Sequence, residues 1–398
     1  PKIRFKGFTD PWEQRKLGEL SSSFEYGLNV AAKEYDGENK YIRITDIDDD
    51  SREFKQEDIT SPDIDLSSAE NYRLSEGDIL FARTGASVGK SYIYKASDGL
   101  VYYAGFLIRA RIKSEYNAEF VFQNTLTDDY EKFIKVTSMR SGQPGVNAQE
   151  YSKHQIMVPS KLEQDKISDC FRSLDNLITL HQRKCDDTKE LKKYMLQKMF
   201  PKNGEKFPEI RFKGFTEAWE QRKFGDIALR ESLSIESSDA YLFVEYEDVV
   251  TEEGRLNKDI RQKEGSKKGI VFDGSQVLYG KLRPYLHNWL NPDFSGVAVG
   301  DWWVLKPQNT DKKFVYRLIQ TQRFDDVANQ SAGSKMPRAD WNLVSNTEFA
   351  IPSSQKEQEK IGVYFDNLDN LITLHQRKCD TLKELKKYML QNMFPKKG

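Results

Sequence analysis

Apolar side chains recur at alternating spacings of four and three residues along two long stretches of the chain, and each stretch follows a proline, Pro159 or Pro352. Because this alternation is sustained over about four heptads, it predicts an amphipathic helix whose apolar seam packs in a coiled coil. We therefore expect two long helices that pair with each other. The predicted seam positions are Ile167, Phe171, Leu174, Ile178 and His181 in the first stretch and Ile361, Phe365, Leu368, Ile372 and His375 in the second.

The segments ahead of these stretches show a different pattern, in which short β-branched or aromatic runs are separated by Gly, Asp and Ser. Residues 78–82 and 106–108 are such runs in the first segment, and residues 297–299 and 302–305 are such runs in the second. Runs of this composition predict strands, and a helical pattern at residues 118–127 interrupts them. The fold class that follows is mixed α/β, with two α+β domains separated by the two long helices.

A short opening module precedes each strand-rich segment. Thr9 or Asp10 is a suitable N-cap for a brief helix that ends at Leu20, and Thr216 is a suitable N-cap for a helix that ends at Ile227. Such side chains accept hydrogen bonds from the first free N–H groups of a helix. We therefore expect one brief helix at the start of each half of the chain.

The sequence contains the same frame twice. Residues 3–9 recur letter for letter as residues 210–216, and residues 174–186 recur unchanged as residues 368–380. The inserts between the matched frames, such as residues 24–155, have almost nothing in common. An identical frame with two different inserts indicates a protein that recognises two different targets. The predicted boundaries are 1–160 for the first recognition domain, 161–202 for the central helix, 203–353 for the second recognition domain and 354–398 for the C-terminal helix.

The connection between the two helices favours an antiparallel coiled coil. The first helix, of about 33 residues, is roughly 50 Å long at 1.5 Å per residue, and the second insert joins its end to the start of the second helix. A parallel pair would force this insert to return the chain over the full length. An antiparallel pair with pseudo-twofold symmetry avoids the return, and it predicts two unlike domains at a separation that suits DNA half-sites about 34–36 Å apart.

Composition limits the class of protein. The chain of 398 residues has 38% hydrophobic and 31% charged residues, a mean hydropathy of -0.72 and a net charge of -1. No apolar run approaches the roughly 20 residues that a membrane crossing requires, and three cysteines without a CxxC pair argue against a disulfide framework. We expect a soluble, cytoplasmic protein without a membrane partner. The charge balance argues against a simple cationic DNA-binding protein, since phosphate neutralisation usually leaves an excess of Lys and Arg.

Several motifs, in this order and within the repeated frame, resemble those of the specificity subunits of type I restriction-modification systems. The resemblance covers essentially the whole chain, and the motifs are residues 12–18, 77–85, 141–147 and 279–285 together with the Glu-Gln pairs at 163–164 and 357–358. Residues 331–337 of the second half depart from the Gly-Gln-Pro-Gly form at residues 142–145. We therefore expect the second half to read different bases with a different contact geometry.

The resemblance implies a non-catalytic subunit that reads an asymmetric bipartite DNA target with a fixed gap. It also implies that two methyltransferase subunits, which carry S-adenosylmethionine, dock on this chain, and that two restriction subunits, which use ATP and Mg²⁺, can join them. No cofactor and no metal is then bound by this chain itself. The outer faces at residues 189–194 and 383–388 are nearly identical, and we interpret them as the surfaces for the two methyltransferase subunits.

Candidate DNA contacts come from the loop motifs, because their side chains offer the donors and acceptors that base edges and phosphates require. Any one of them alone is equally consistent with a solvated surface residue or a structural turn. The candidates are Arg83, Thr84, Ser87, Lys90, Arg140, Gln143 and Asn147 in the first insert and Lys281, Arg283, Tyr285, Ser334, Lys335 and Arg338 in the second.

The sequence gives weaker support for two other kinds of site, a phosphate-binding loop and a zinc site. Residues 85–91 resemble a P-loop, but a phosphate-binding loop needs four residues between its glycines, three stand here, and a strand pattern follows. His181 and Cys185 share one helix face, as do His375 and Cys379, so a zinc site is possible in principle. Polar layers in coiled coils also set register, and we favour that interpretation.

A protein from another class remains as the alternative, namely a coiled-coil scaffold with two protein-binding modules. An enzyme is disfavoured, because the four histidines are not accompanied by a nucleophile elbow, an HExxH motif or a methyltransferase motif. DNA binding by the two inserts distinguishes the recognition subunit from the scaffold.

Overall fold

The computed structural model describes residues 1–139, 144–330 and 336–395. It divides into two compact units, of which the first comprises residues 1–180 with the segment that begins at 378, and the second comprises residues 181–377. Each unit contains one mixed α/β domain and a part of both long helices. The predicted fold class, with two α+β domains and two paired helices, is confirmed.

The first unit combines short strands with short helices ahead of a long helix. Its strands are β1 (Glu13–Lys16), β2 (Ser21–Tyr26), β3 (Ala32–Glu34), β4 (Asn39–Ile42), β5 (Thr60–Pro62), β6 (Ile79–Ala82), β7 (Ser91–Ile93), β8 (Leu100–Tyr103), β9 (Leu107–Ile112) and β10 (Gln155–Val158). Its α-helices are α1 (Leu17–Leu20), α2 (Ala118–Asn124), α3 (Asp128–Ser138), α4 (Ala148–Ser152) and the first part of α5 (Lys161–Lys198).

An antiparallel four-stranded sheet in the order β2-β9-β6-β7 forms the centre of the first domain. Strand β1 pairs with β10, β3 pairs with β5, and β4 pairs with β8 in parallel. Phe81, Ile108 and Phe120 are fully buried between this sheet and the helices, in the same apolar cluster as Phe171 of α5. The core of the domain is therefore continuous with the seam of the long helix.

The second unit repeats this element order. Its strands are β11 (Glu220–Lys223), β12 (Ala228–Glu231), β13 (Ser234–Glu236), β14 (Leu242–Glu245), β15 (Lys268–Phe272), β16 (Val277–Gly280), β17 (Trp289–Leu290), β18 (Gly296–Val299), β19 (Trp302–Pro307) and β20 (Glu348–Ile351). Its α-helices are α6 (Phe224–Ile227), α7 (Lys312–Leu318), α8 (Gln322–Ala328), α9 (Trp341–Asn346) and the first part of α10 (Gln355–Met393).

The two domains share a sheet topology although their inserts share little sequence. The sheet β12-β19-β16-β17 has the same order and direction as β2-β9-β6-β7, and the pair β11-β20 matches β1-β10. A second four-stranded sheet, β13-β15-β18-β14, contains a parallel pair, β14-β18, that corresponds to β4-β8. The internal repeat is therefore a property of the fold as well as of the frame sequences.

The prediction of a brief helix in each opening module was wrong over most of its length. Residues Glu13–Lys16 form strand β1, and only the single turn Leu17–Leu20 is helical. The second half repeats this, with β11 followed by the single turn Phe224–Ile227. The physical reason is that β1 pairs with Gln155–Val158, which lies far away in sequence. Local periodicity and an N-cap residue carry no information about that partner.

The long helices are antiparallel within the first unit. The Phe171 ring of α5 lies 5.9 Å from the Phe394 ring next to the end of α10, and Asp175 of α5 lies 2.6 Å from the ammonium of Lys386 in α10. As the residue number rises along one helix, it falls along the other. Helices α5 and α10 contain 38 and 39 residues, which corresponds to about 57 Å at 1.5 Å per residue.

The same direction holds within the second unit. Lys192 of α5 pairs with Asp369 of α10, and Phe200 packs 6.4 Å from Phe365. The antiparallel coiled coil is therefore confirmed by contacts within each unit. Of the predicted seam positions, Ile167, Phe171, Leu174, Ile361, Phe365 and Leu368 are buried, and Ile178, His181, Ile372 and His375 are half-buried.

The polar part of the seam contains a histidine pair. The Nδ1 atoms of His181 and His375 lie 3.0 Å apart, at hydrogen-bonding distance, and the two rings are tilted by 33°. Cys185 is fully buried, and its Sγ atom lies 3.8 Å from the carbonyl oxygen of Ile372. Across the described ranges, no cluster of three or more His, Cys, Asp and Glu side chains is arranged to hold a metal ion.

The Glu-Gln pairs at the start of each long helix fasten the frame to that helix. Arg4 donates to both carboxylate oxygens of Glu163, at 2.7 and 2.8 Å, and Glu163 is almost completely buried. The Gln164 side chain accepts from the backbone N–H of Asn117 and donates to the carbonyl oxygen of Pro159. The second copy repeats this set with Arg211, Glu357, Gln358, Asp311 and Pro352. This motif is therefore a structural clamp.

None of the helices within the described residues is long and apolar enough to cross a membrane.

Candidate DNA interface

Two loop motifs that are far apart in the sequence meet in the first domain. The N–H of Gly85 donates to the carbonyl of Pro144 at 3.1 Å, and the N–H of Val146 donates to the carbonyl of Arg83 at 2.9 Å. Thr84 and Gly145 lie opposite each other in an antiparallel bridge. We call residues 83–90 and 144–147 the first loop pair. It contains all five of the first-insert candidates that the structure describes.

Arg83 contacts one exposed aromatic side chain, Tyr26, and bonds through its backbone to a second exposed aromatic residue, Phe106. The guanidinium of Arg83 lies 5.0 Å from the ring centroid of Tyr26. The backbone N–H of Arg83 donates to the backbone carbonyl of Phe106 at 3.0 Å. Tyr26 and Phe106 are 43% and 56% exposed. The Tyr26 hydroxyl also accepts from the N–H of Ala148, which ties strand β2 to the loop pair. Stacking surfaces beside a cation are typical of nucleic-acid interfaces.

Sequence reasoning missed Tyr26 and Phe106. Each adjoins a glycine where two backbones approach closely, and a Cβ on Gly27 would lie 2.3 Å from the carbonyl oxygen of Ala104. The sequence does contain a signal for these residues, namely an aromatic residue next to a glycine at the end of a run of strand-forming residues. The contact with Arg83 becomes visible only through the pairing of β9 with β2 and β6.

The other first-insert candidates have structural partners or lie in the turn. The ammonium of Lys90 pairs with the carboxylate of Asp49, and this contact lowers the pKa of Asp49. The Asn147 side chain accepts from the N–H of Glu150 at 3.0 Å and thereby caps α4. Ser87 ends the 3₁₀ turn Gly85–Ser87, which leads into strand β7. The candidates Arg140 and Gln143 lie outside the described residues.

The second domain contains an equivalent loop pair, residues 281–287 and 337–340. The N–H of Arg283 donates to the carbonyl of Pro337 at 2.7 Å, and the N–H of Ala339 donates to the carbonyl of Lys281 at 2.9 Å. Leu282 and Arg338 lie opposite each other in an antiparallel bridge. We call these segments the second loop pair. Their hydrogen bonds repeat those of the first loop pair one for one.

These shared hydrogen bonds define equivalent positions in the two loop pairs. Because the N–H of Lys281 donates to the carbonyl of Asp301 at 2.9 Å, as the N–H of Arg83 does to that of Phe106, Lys281 is equivalent to Arg83 and Asp301 to Phe106. The bridges likewise make Arg338 equivalent to Gly145. The same backbone scaffold thus presents different side chains in the two domains. The second-insert candidates Ser334 and Lys335 lie outside the described residues.

Two non-glycine residues with positive φ frame the exposed tip of the second loop pair. Arg283 has φ 48° and His287 has φ 53°, and Tyr285 between them is 52% exposed. The left-handed conformation is unfavourable for side chains with a Cβ, and such strain tends to be kept at functional sites. The tip therefore combines two strained backbone positions with an exposed tyrosine.

His287 anchors this tip. Its Nε2 lies 3.0 Å from Asp325, its Nδ1 lies 3.1 Å from Glu252, and its ring stacks on Trp289 with a centroid distance of 5.3 Å. The hydrogen bond with Asp325 and that with Glu252 raise the pKa of His287. A protonated imidazole donates from both nitrogens, so it can bind both carboxylates at once.

The cations of the second loop pair share one carboxylate. Arg338 donates from Nε and Nη2 to the two carboxylate oxygens of Asp301, at 3.2 and 3.1 Å, and the Lys281 ammonium lies 3.7 Å from the same side chain. Together with the pairing of Lys90 and Asp49, this shows that basic side chains of both loop pairs are held by acidic neighbours. The net charge of -1 is therefore compatible with ordered cations at these loops.

Comparison with known proteins gives a consistent assignment. The family model described as "Type I restriction modification DNA specificity domain" matches residues 9–189 and again residues 216–384. The chain is 22% identical over 375 residues to the type I restriction enzyme MjaVIII specificity subunit of Methanocaldococcus jannaschii, and the match covers 85% of this chain and 83% of that protein.

Solved structures show the same fold. The S subunit of a type I restriction-modification system from M. genitalium matches with a TM-score of 0.66 at 13% identity, over 100% of both chains. A chain from a structure on complex assembly and conformational transition of the type I R-M system matches with a TM-score of 0.53 at 16% identity, over 96% of this chain and 97% of that one. At these identities the likeness concerns the fold.

Proposed function

Because the chain belongs to the family of type I restriction-modification DNA specificity proteins, we propose that each of its two domains reads one half of a bipartite DNA target through its loop pair. The observation that carries this proposal is the shared hydrogen-bonded scaffold of the loop pairs, on which equivalent positions hold different side chains. A common scaffold gives both domains the same approach to the duplex. Different side chains at its tip give each half of the target its own sequence.

The proposed division of labour leaves the chemistry to partner subunits. Methyltransferase subunits would carry S-adenosylmethionine, restriction subunits would use ATP and Mg²⁺, and this chain would supply recognition and assembly without catalysis. The ion pairs Arg4–Glu163 and Arg211–Glu357 support this division, because the most buried carboxylates of the frame have a structural role.

The outer faces of the long helices support docking of two identical partners. Exposed apolar side chains occur at the same positions in both copies of the repeat, and Leu191 and its counterpart Leu385 are 44% and 43% exposed. Scattered exposed leucines are normal on a protein surface. Their duplication is what two copies of one partner require. The set comprises Leu177, Leu180, Leu191 and Tyr194 and the equivalent Leu371, Leu374, Leu385 and Tyr388.

The test is a methylation map combined with DNA binding. In cells that contain the methyltransferase, we expect one bipartite motif to be methylated only when this chain is present. The purified complex should prefer that motif, and its affinity should fall steeply between about 50 and about 200 mM salt, as expected for phosphate contacts. A complex without sequence preference, or a methylation map that does not depend on this chain, would favour the scaffold with two protein-binding modules.

A further inference from the structure

The backbone of Arg83 is fixed at both of its polar groups within the first loop pair. The N–H of Arg83 donates to the carbonyl of Phe106 at 3.0 Å, and the carbonyl of Arg83 accepts from the N–H of Val146 at 2.9 Å. Arg83 also follows directly after strand β6, whose four residues are all buried. The backbone that carries this side chain is therefore anchored to the core of the first domain.

The guanidinium of Arg83 contacts an aromatic ring rather than a carboxylate. It lies 5.0 Å from the ring centroid of Tyr26, and it forms no ion pair or side-chain hydrogen bond with any residue in 1–139, 144–330 or 336–395. The ring attracts the cation through its π electrons and supplies no carboxylate oxygen. The N–H donors of the guanidinium are therefore not used by an ion pair with the described residues.

The Tyr26 ring is itself held in place. Its hydroxyl accepts from the backbone N–H of Ala148 at 3.2 Å, and Ala148 is the first residue of α4. At the other end of the side chain, the Tyr26 backbone pairs with Ile108 in the ladder between β2 and β9. A fixed ring limits the positions that the Arg83 cation adopts against it, which reduces the entropy lost when the arginine binds a partner.

The second domain has a different arrangement at the equivalent positions. Lys281 stands at the position of Arg83 and Asp301 at the position of Phe106, and the Lys281 ammonium lies 3.7 Å from the Asp301 carboxylate. The ammonium of lysine is a compact charge, whereas the planar guanidinium presents two parallel N–H groups to one partner. The two domains therefore offer different donors at the same place on the scaffold.

The fixed position of Arg83 favours a base over a phosphate as its partner. A phosphate attracts a cation from many directions, so it gains little from an arginine that is placed in advance. Two acceptor atoms on one base edge require two donors in the correct position and direction.

We propose that Arg83, held against the ring of Tyr26, donates two hydrogen bonds to O6 and N7 of a guanine in the half-site read by the first domain. Bidentate pairing of arginine with these two atoms is the commonest specific contact in the major groove. Tyr26 is then a positioning residue that acts through Arg83. This inference rests on the proposed function, and it names one base of the first half-site.

The test uses the complex with its methyltransferase and duplexes that carry the target from the methylation map. Each guanine is replaced in turn by 7-deazaguanine, which removes N7 from the major groove but keeps Watson–Crick pairing. With the natural chain, replacement of one guanine in the first half-site should weaken binding by about 10-fold, because a charged donor loses one hydrogen bond. Arg83→Ala should weaken binding of the unmodified target by about 10- to 100-fold and show no further loss at that guanine.

Two variants of Tyr26 test the positioning role. Tyr26→Leu removes the ring, and we expect discrimination between guanine and adenine at that position to fall by about 2- to 5-fold, as for an exposed cation–π contact. Tyr26→Phe keeps the ring and removes only the hydroxyl, so its loss should be smaller. A merely structural role would lower affinity for all duplexes and thermal stability in parallel, and that result would overturn the assignment of Tyr26.

A matched control is available in the second domain. Arg230 is exposed and lies 5.0 Å from the ring centroid of Trp341, at the same distance as in the pair of Arg83 and Tyr26. Arg230→Ala should leave the 7-deazaguanine profile of the first half-site unchanged. Recognition of the second half-site should stay intact in the Arg83 and Tyr26 variants, which verifies that the complex is assembled.

Two results would overturn the proposal. A first half-site without a sensitive guanine would exclude the base contact, and uniform weakening of all sequences by Arg83→Ala, with a smaller salt dependence, would identify a phosphate contact. Failure of the proposed function looks different, since the natural complex would then show no sequence preference on any duplex.

Discussion

The Nζ atom of Lys192 lies 2.7 Å from Oδ1 of Asp369, across the seam between the two long helices of the second unit. The same carboxylate accepts a hydrogen bond of 2.7 Å from Nη1 of Arg317, which is almost completely buried in α7. Burial lowers the pKa of Lys192, and the charge of Asp369 opposes this effect. One carboxylate therefore joins both long helices to the domain that they carry.

The repeat supplies a matched pair of variants for this contact. In the first unit Lys386 lies 2.6 Å from Asp175, but the α2 position equivalent to Arg317 is occupied by Gln123. Asp369→Asn leaves Lys192 without its carboxylate and the buried Arg317 with Asp366 alone, and we expect it to destabilise the second unit by roughly 1–3 kcal/mol. Asp175→Asn, with one such cation, should cost about 1 kcal/mol or less.

Amide hydrogen exchange of each unit in the two variants measures this difference. Protection should fall in α7 and the adjoining helices for Asp369→Asn and change little for Asp175→Asn. Equal losses in both variants would show that Arg317 adds nothing to the contact.

Arg283→Gly separates backbone strain from DNA recognition. Relief of the left-handed conformation, roughly 1–2 kcal/mol, is largely offset by the greater freedom of glycine in the unfolded chain, roughly 0.5–1 kcal/mol. Stability should therefore stay nearly constant, whereas affinity for the target should fall by about 1–3 kcal/mol if the side chain reads a base. Thermal melting and fluorescence titration check the two quantities. Unchanged binding and methylation would remove Arg283 from the candidate contacts.

The duplicated outer faces predict the number of docked methyltransferase subunits. Leu191→Asp places a charge in one proposed interface, so the complex should retain one methyltransferase, and Leu191→Asp with Leu385→Asp should retain none. Leu162 is 64% exposed on the same helix and has the polar Lys356 at the repeated position, so Leu162→Asp is the control. Native mass spectrometry counts the subunits. Full occupancy of the double variant would locate the interface elsewhere.

The pH dependence of the second domain should reflect His287. Because the carboxylates of Asp325 and Glu252 raise the pKa of His287, the stabilisation is complete below the ordinary histidine pKa of about 6.5 and is lost as the pH rises through the raised value. His287→Gln should therefore lower the melting temperature more at about pH 6 than at about pH 9.

The expected loss at the lower pH is roughly 0.2–1 kcal/mol, as for partly exposed ion pairs. Tryptophan fluorescence suits the measurement, because Trp12 belongs to the first unit and the remaining tryptophans belong to the second. A difference between the natural chain and the variant that does not depend on pH would contradict the role of the charged imidazole.

Exchange of inserts tests whether the two half-sites are read independently. Replacing residues 24–155 with the insert of another family member should alter one half of the methylated motif and leave the other half unchanged. The reason is that the first loop pair lies inside the insert, whereas the clamp between Arg4 and Glu163 lies outside it. Exchange of residues 231–348 is the reciprocal control. A change in both halves after a single exchange would refute independent reading.

Much of the fold was predictable because it follows from local periodicity and from the repeat. The seam from Ile167 to Leu174 is buried as its heptad spacing requires, and the predicted strands at residues 78–82 and 302–305 coincide with β6 and β19. The antiparallel direction followed from the connection between the helices. These features depend on neighbouring residues or on chain connectivity, both of which the sequence displays.

The details of the candidate site depend on contacts between distant segments. Thr84 meets Gly145 only after β6 and α4 are in place, and the opening strand β1 required a partner at residues 155–158. The pairing of Asp301 with Arg338 likewise joins two loops whose separation in sequence hides their contact. The loop motifs identified the basic candidates, but they could not show which of these side chains are held by acidic neighbours.

The contact between His181 and His375 sets a limit on how symmetric this duplicated chain can be. The two Nδ1 atoms are 3.0 Å apart, and a single hydrogen between them must be donated by one imidazole and accepted by the other. Two residues with identical neighbours in the sequence therefore differ at any instant in whether Nδ1 carries a hydrogen. If both Nδ1 atoms carried a hydrogen, two N–H groups would face each other. The two histidines can therefore exchange the donor and acceptor roles only if protons move on both rings.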